Sequence, residues 1–124
     1  VSIIVPTYNT EPGMLKEMLN SVKNQVYPNW ELCIADDCST EPHVRTILEA
    51  YAAKDPRIKL HFADQNKGVA CASNQAISMA TGAFVVLLDH DDLLEPQAVS
   101  RAAEAVIHND LQRTWCIAKP LKPC

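Results

Sequence analysis

The chain passes four times from a short apolar segment, through a polar loop, into a longer stretch with helical spacing, and this alternation limits the fold more than any other feature. Ser2-Ile3-Ile4-Val5, Trp30 to Ala35, Ile58 to Phe62 and Ala83 to Leu88 read as strands. Behind them come apolar stripes at Leu15, Met18, Leu19, Val22 and Val26; at Val44, Ile47, Leu48 and Tyr51; at Val69, Ala72, Ala76, Ile77 and Ala80; and at Val99, Ala102, Ala103, Val106 and Ile107. Four strand-then-helix units in succession predict a parallel, doubly wound α/β sheet with right-handed crossovers and helices on both faces. Pro6 is expected to stop the first strand, Thr10 to cap the first helix ahead of Glu11 and Pro12, and Gly82 to end the third helix in a left-handed conformation. Ile58-Lys59-Leu60-His61-Phe62 alternates, as a strand near the sheet edge does.

The fourth strand runs without alternation into Asp89-His90-Asp91-Asp92. Residues two apart on an extended chain point the same way, so Asp89 and Asp91 project together, roughly 6–7 Å apart. At an effective dielectric near 20 their charges repel by about 2–3 kcal/mol. A protonated carboxyl, a nearby cationic side chain or a divalent cation would offset this, and a hard cation carrying substrate phosphates suits oxygen ligands with open positions. A solvated acidic turn ahead of a helix is the alternative. In open α/β sheets ligands bind outside the carboxyl ends of the strands, where strand order reverses. The loops holding Thr7 to Asn9, Asp36 and Asp37, Asn66 to Gly68, and Asp89 to Asp92 therefore converge on one crevice, which favours the cation.

The 124 residues suit one domain, 48% hydrophobic and 21% charged. A net charge of −4 with no basic stripe argues against nucleic acid as a partner. The apolar runs are strand-sized, too short for a membrane span. The five cysteines form no CxxC and lack zinc-ribbon spacing; buried reduced thiols in a cytoplasmic protein are expected. Neither GxGxxG nor GxxxxGK[ST] occurs, so a nucleotide diphosphate held here needs some other neutralising group.

Five stretches resemble, in register, the inverting nucleotide-sugar glycosyltransferases of family 2, which have the GT-A fold, a Rossmann-like sheet. They are Val1 to Asn9; Ser21 to Gln25 with Tyr27 to Leu32; Ile34 to Thr40; Asn66-Lys67-Gly68 with Asn74-Gln75-Ala76; and Thr81-Gly82 leading to Leu88 through Asp92. The resemblance covers residues 1–109 and implies a role for each matching position. Pro6, Thr7, Tyr8 and Asn9 line the nucleotide pocket, with Tyr8 against the base. Asp37 accepts from the base imide, which favours a UDP- or dTDP-sugar, and Asp36 is structural. Asp89 and His90 lie near ribose and diphosphate, Asp91 binds Mg²⁺ or Mn²⁺ directly with Asp89 beside it, and Lys67 and Gly68 form the loop facing a phosphate. Lys67 reads equally well as a solvated lysine. His43, His61 and His108 read as surface or core-edge histidines.

The implied reaction is displacement at the anomeric carbon of a nucleotide sugar by an acceptor hydroxyl, with inversion. The general base and the saccharide or lipid-linked acceptor site belong to the following half of such proteins, so this chain is expected to be a truncated, donor-binding half. From residue 110 to 124 no strand or helix period continues the pattern, and that segment reads as an atypical tail. Truncation exposes the flank of the fourth strand and invites self-association. The resemblance further implies work in the cytoplasm or at the cytoplasmic face of the membrane. Two other readings compete. A DxD phosphotransferase wants its acids after the first strand and a downstream Lys and acidic pair. A non-catalytic nucleotide- or metal-binding module of the receiver type wants a lone acceptor Asp and a Lys near the sheet end, whereas Lys119 sits in the tail.

Overall fold

A computed structural model describes residues 1–82, 84–90 and 93–107. Ala83, Asp91, Asp92, His108 and the tail from 110 to 124, for which expectations were stated above, lie outside the described residues. The elements run β1 (Ser2–Thr7), α1 (Pro12–Lys23), β2 (Glu31–Asp36), α2 (Pro42–Lys54), β3 (Ile58–Phe62), α3 (Val69–Ser78), β4 (Val85–Leu87) and α4 (Ala98–Ile107). All pairings are parallel, in the order β3-β2-β1-β4. The doubly wound α/β architecture expected from the alternation is the one observed.

The stripes explain the layers. Leu15, Met18, Leu19 and Val22 of α1, Val44 and Leu48 of α2, and Val99 of α4 join Ile3, Val5, Leu32 and Ile34 in one core. Ala72 and Ala76 of α3 pack on the opposite face against Ile4, Cys33 and Ala35. Small residues on α3 let that helix lie close to the sheet. Each fully buried Leu or Ile contributes about 1.5–3 kcal/mol relative to exposure.

Five local expectations are corrected. Pro6 does not stop β1: alternate residues of that strand turn their polar groups toward opposite neighbours, Ser2 N–H donating to the Phe84 carbonyl and the Ile4 carbonyl accepting from Leu88 N–H on the β4 side, while the Thr7 carbonyl accepts from Asp37 N–H on the β2 side. Pro6 shares the parity of Ser2 and Ile4, and its missing N–H faces the gap beyond the end of β4, where no ladder bond is required. Thr10 is not the cap of α1; the Glu11 carboxylate accepts from Gly13 N–H and Met14 N–H instead. Gly82 is not a left-handed cap, since α3 ends at Met79 and Gly68 is the glycine with positive φ among the described residues. Gly82 is there for closeness: a Cβ on it would stand 2.6 Å from Ser2 Oγ. Finally β4 is the three-residue strand Val85–Leu87, with Phe84 and Leu88 outside it, and Val26 is exposed rather than inward.

Cys33 and Cys38 are free thiols, as expected, but Cys71 is disulfide-bonded, which overturns the reduced state expected of it. Among the described residues no helix is long and apolar enough to cross a membrane.

Candidate functional site

Strand order reverses between β1 and β4, and the loops leaving these strands part to form a cleft of about 350 Å³. Pro6, Thr7 and Tyr8 line it from the end of β1, Asp37 from β2, Asn66, Val69 and Ala72 from the approach to α3 and its first turns, and His90 from β4. Tyr8 is 43% exposed, so its ring is open to a ligand.

Beneath the cleft a set of buried carboxylates fixes the loops. Asp36 accepts from Thr7 Oγ1 at 2.8 Å, Ser39 N–H at 2.8 Å and Ser39 Oγ at 2.6 Å, tying β1 to the exit of β2. Three of its four acceptor positions are thus taken up inside the fold, and the residue is buried. Asp37, also buried, accepts from the backbone N–H of Lys67 and Gly68, so it sets the entry to α3 as well as facing the cleft. Each carboxylate oxygen has two lone pairs, so these bonds leave acceptor capacity for a ligand. Asn66 reinforces the loop by donating from Nδ2 to the Asp37 carbonyl at 3.3 Å.

The predicted residues do not all face one way. Asn9, at φ 47°, turns its side chain onto the β2–α2 loop, where Oδ1 accepts from Thr40 N–H and Glu41 N–H and Nδ2 donates to Thr40 Oγ1. It thereby serves the start of α2, whose own cap residue Glu41 makes no side-chain capping bond. Lys67 and Gly68 are tied to the site through their backbone N–H groups on Asp37, and Lys67 borders a neighbouring cavity of about 310 Å³ also lined by His61, Asp64 and Gln75. Asp89 stands exposed at the end of β4. Among the described residues no group of three His, Cys, Asp or Glu side chains could hold a metal.

Two residues escaped the sequence reading. Thr10 is 2% exposed, and its Oγ1 lies 2.5 Å from His90 Nδ1. His43, expected to be a bystander, donates from Nε2 to the Thr10 carbonyl at 2.6 Å. Nothing in the spacing points to either contact, because the partners are 80 and 33 residues apart. Val69 and Ala72 were legible as helix positions but not as cleft walls; the position of Val69 directly after Gly68, at the mouth of α3, is the signal that places it there.

The family model for glycosyl transferase family 2 matches residues 2–117. The uncharacterized protein y4gI of Sinorhizobium fredii is 50% identical over 86% of this chain, and the putative teichuronic acid biosynthesis glycosyltransferase TuaG of Bacillus subtilis is 38% identical over 84%. The chain spans 12% and 40% of their respective lengths. Among solved structures, S. aureus TarS 1–349 in complex with UDP-GlcNAc superposes with a TM-score of 0.79 at 34% identity, covering 88% of this chain and 31% of that one.

Proposed function

This chain belongs to glycosyl transferase family 2, and we propose that it forms the donor-binding half of an enzyme that transfers a sugar from a uridine or thymidine diphosphate donor to an acceptor hydroxyl with inversion. The observation that carries this is the cleft at the reversal of strand order, where an open Tyr8 ring stands with the carboxylate of Asp37. A pyrimidine ring stacks on Tyr8 while its imide N–H donates to Asp37, a pairing that a purine with an exocyclic amine presents differently. The UDP-GlcNAc complex of TarS supports this choice of donor.

The diphosphate then runs toward β4, to His90 and Asp89. An exposed carboxylate oxygen at a strand end fits a hard divalent cation held by one or two side chains plus phosphate oxygens. Asp89, with Asp91 by its place in the sequence, would hold Mg²⁺ or Mn²⁺. When bound, such an ion neutralises the charge that develops on the departing diphosphate, worth several kcal/mol. The chain's own contribution is orientation: Asp36 and Asp37 hold three loops rigid, so the donor meets a preformed site.

The relative named for teichuronic acid biosynthesis supports a part in polysaccharide biosynthesis; a saccharide or lipid-linked acceptor, met at the cytoplasmic face of the membrane, belongs to the same proposal. Self-association through the outer flank of β4 belongs to the same reading, and light scattering of the isolated chain tests it: a monodisperse monomer overturns it.

Calorimetric titration with UDP, with and without Mn²⁺, tests the donor assignment on the wild type, Asp89→Ala and Asp91→Ala. Metal-dependent binding that both substitutions weaken is the expected result. Equal affinity for GDP overturns the base assignment, and unchanged binding in both variants overturns the metal assignment.

A further inference from the structure

We propose that Thr10 is a positioning residue for His90, fixing the imidazole as its Nε2–H tautomer so that a hydrogen-bond donor faces an anionic ligand in the cleft. Thr10 Oγ1 lies 2.5 Å from His90 Nδ1, and the threonine is 2% exposed. Among the described residues that hydroxyl has no second partner. A hydroxyl carries one proton. Donated to Nδ1, the proton is satisfied; were Nδ1 itself protonated and donating, the hydroxyl hydrogen would be stranded in a site shut off from water. The accepting state of Nδ1 leaves the ring proton on Nε2. Because the Nδ1 edge is turned onto buried Thr10, the remainder of the ring lines the cleft.

Thr10 is itself held. Its carbonyl can only accept, so His43 Nε2 donates to it across 2.6 Å, latching the β1–α1 loop to the first turn of α2. The donor on His90 is thus oriented by two other strand-helix units. Its ligand class, a nucleoside diphosphate whose oxygens accept from Nε2–H, rests on the function proposed above.

The test is a long-range ¹H–¹⁵N spectrum of the histidine side chains in the full chain, alongside UDP titration in Mg²⁺. In the wild type, His90 is expected to show an unprotonated Nδ1 and a protonated Nε2. Thr10→Val, close in shape, should give a mixed tautomer pattern and raise the Kd for UDP on the order of three- to tenfold, the range set by one neutral hydrogen bond. Thr10→Ser should restore both. A wild-type His90 protonated on Nδ1 overturns the proposal, as does a Thr10→Val protein with unchanged spectrum and affinity. If Thr10→Val does not fold, the wild-type spectrum and Thr10→Ser still decide. Wild-type protein that fails to bind UDP refutes the donor assignment, while the spectrum continues to judge the Thr10–His90 pair.

Discussion

The Asp37 carboxylate holds Gly68 in place: Oδ2 accepts the Gly68 N–H at 2.9 Å while Oδ1 accepts the Lys67 N–H at 2.8 Å. Gly68 has φ +100° and is the residue from which α3 starts. A side chain leaving β2 therefore decides where the helix three elements later begins, and the same side chain faces the cleft.

Removing that grip should affect both stability and binding. Asp37→Ala leaves two backbone donors without their acceptor and should cost about 1–3 kcal/mol in urea unfolding. Asp37→Asn keeps one acceptor oxygen but sets an NH₂ group against a backbone N–H, so the stability loss should be smaller while UDP binding still falls. Equal UDP affinity in wild type and both variants would show that Asp37 serves the fold alone.

The two loop glycines should fail for different reasons. Gly82→Ala drives a Cβ to 2.6 Å from Ser2 Oγ and 3.1 Å from Ser2 N, an overpacking expected to cost about 1–3 kcal/mol. Gly68→Ala meets no atom within 4 Å but is strained by its φ of +100° and ψ of 165°, at about 1–3 kcal/mol. A double-mutant cycle with Ser2→Ala separates them: coupling appears with Gly82→Ala and is absent with Gly68→Ala.

Acid should loosen the far end of the sheet. Burial disfavours the charge on Glu31, but the Lys59 ammonium, the Ser2 hydroxyl and the Thr81 N–H and hydroxyl outweigh it, holding the carboxyl down from the ordinary 4.5 to about 2. A depressed carboxyl stabilises fully above its unfolded value and loses that contribution as pH falls through the folded one. Stability should therefore decline between about pH 4.5 and pH 2, by on the order of 2 kcal/mol once solvent screening of Lys59 is allowed for. Denaturation across that window should show a shallower slope in Glu31→Gln.

Thiol labelling should report unfolding at one position. Cys33 is fully buried, and burial, with the charge of Glu31 added, pushes its thiol up to about 11. At neutral pH it should resist alkylation in the native protein and react once urea exposes it, whereas half-buried Cys38 reacts first. Mass spectrometry of the labelled peptides checks the order.

The layers were legible because each helix carries a stripe wide enough to bury, and each strand a run too short to be a helix. Local chemistry was less so. Thr10 and Glu11 are both plausible caps by residue type, and the choice fell to Glu11 because the Thr10 hydroxyl is drawn off by a histidine 80 residues away. Gly82 looked like a helix terminator because it follows a small-residue helix, yet its role is set by Ser2 at the other end of the chain. Tyr8, Asp37 and His90 were legible as a set because all leave carboxyl ends of strands. Asn9 sits in the same loop but is turned aside by a left-handed backbone that spacing does not reveal.

The proline in β1 guards the aperture. Were β4 to lengthen and zip further along its neighbour, the Leu88 carbonyl would arrive opposite a ring nitrogen with nothing to donate. Mispairing that sealed the crevice would thus forfeit a hydrogen bond at its first added step, and the mouth of the site stays open by backbone chemistry alone, whatever side chains later line it.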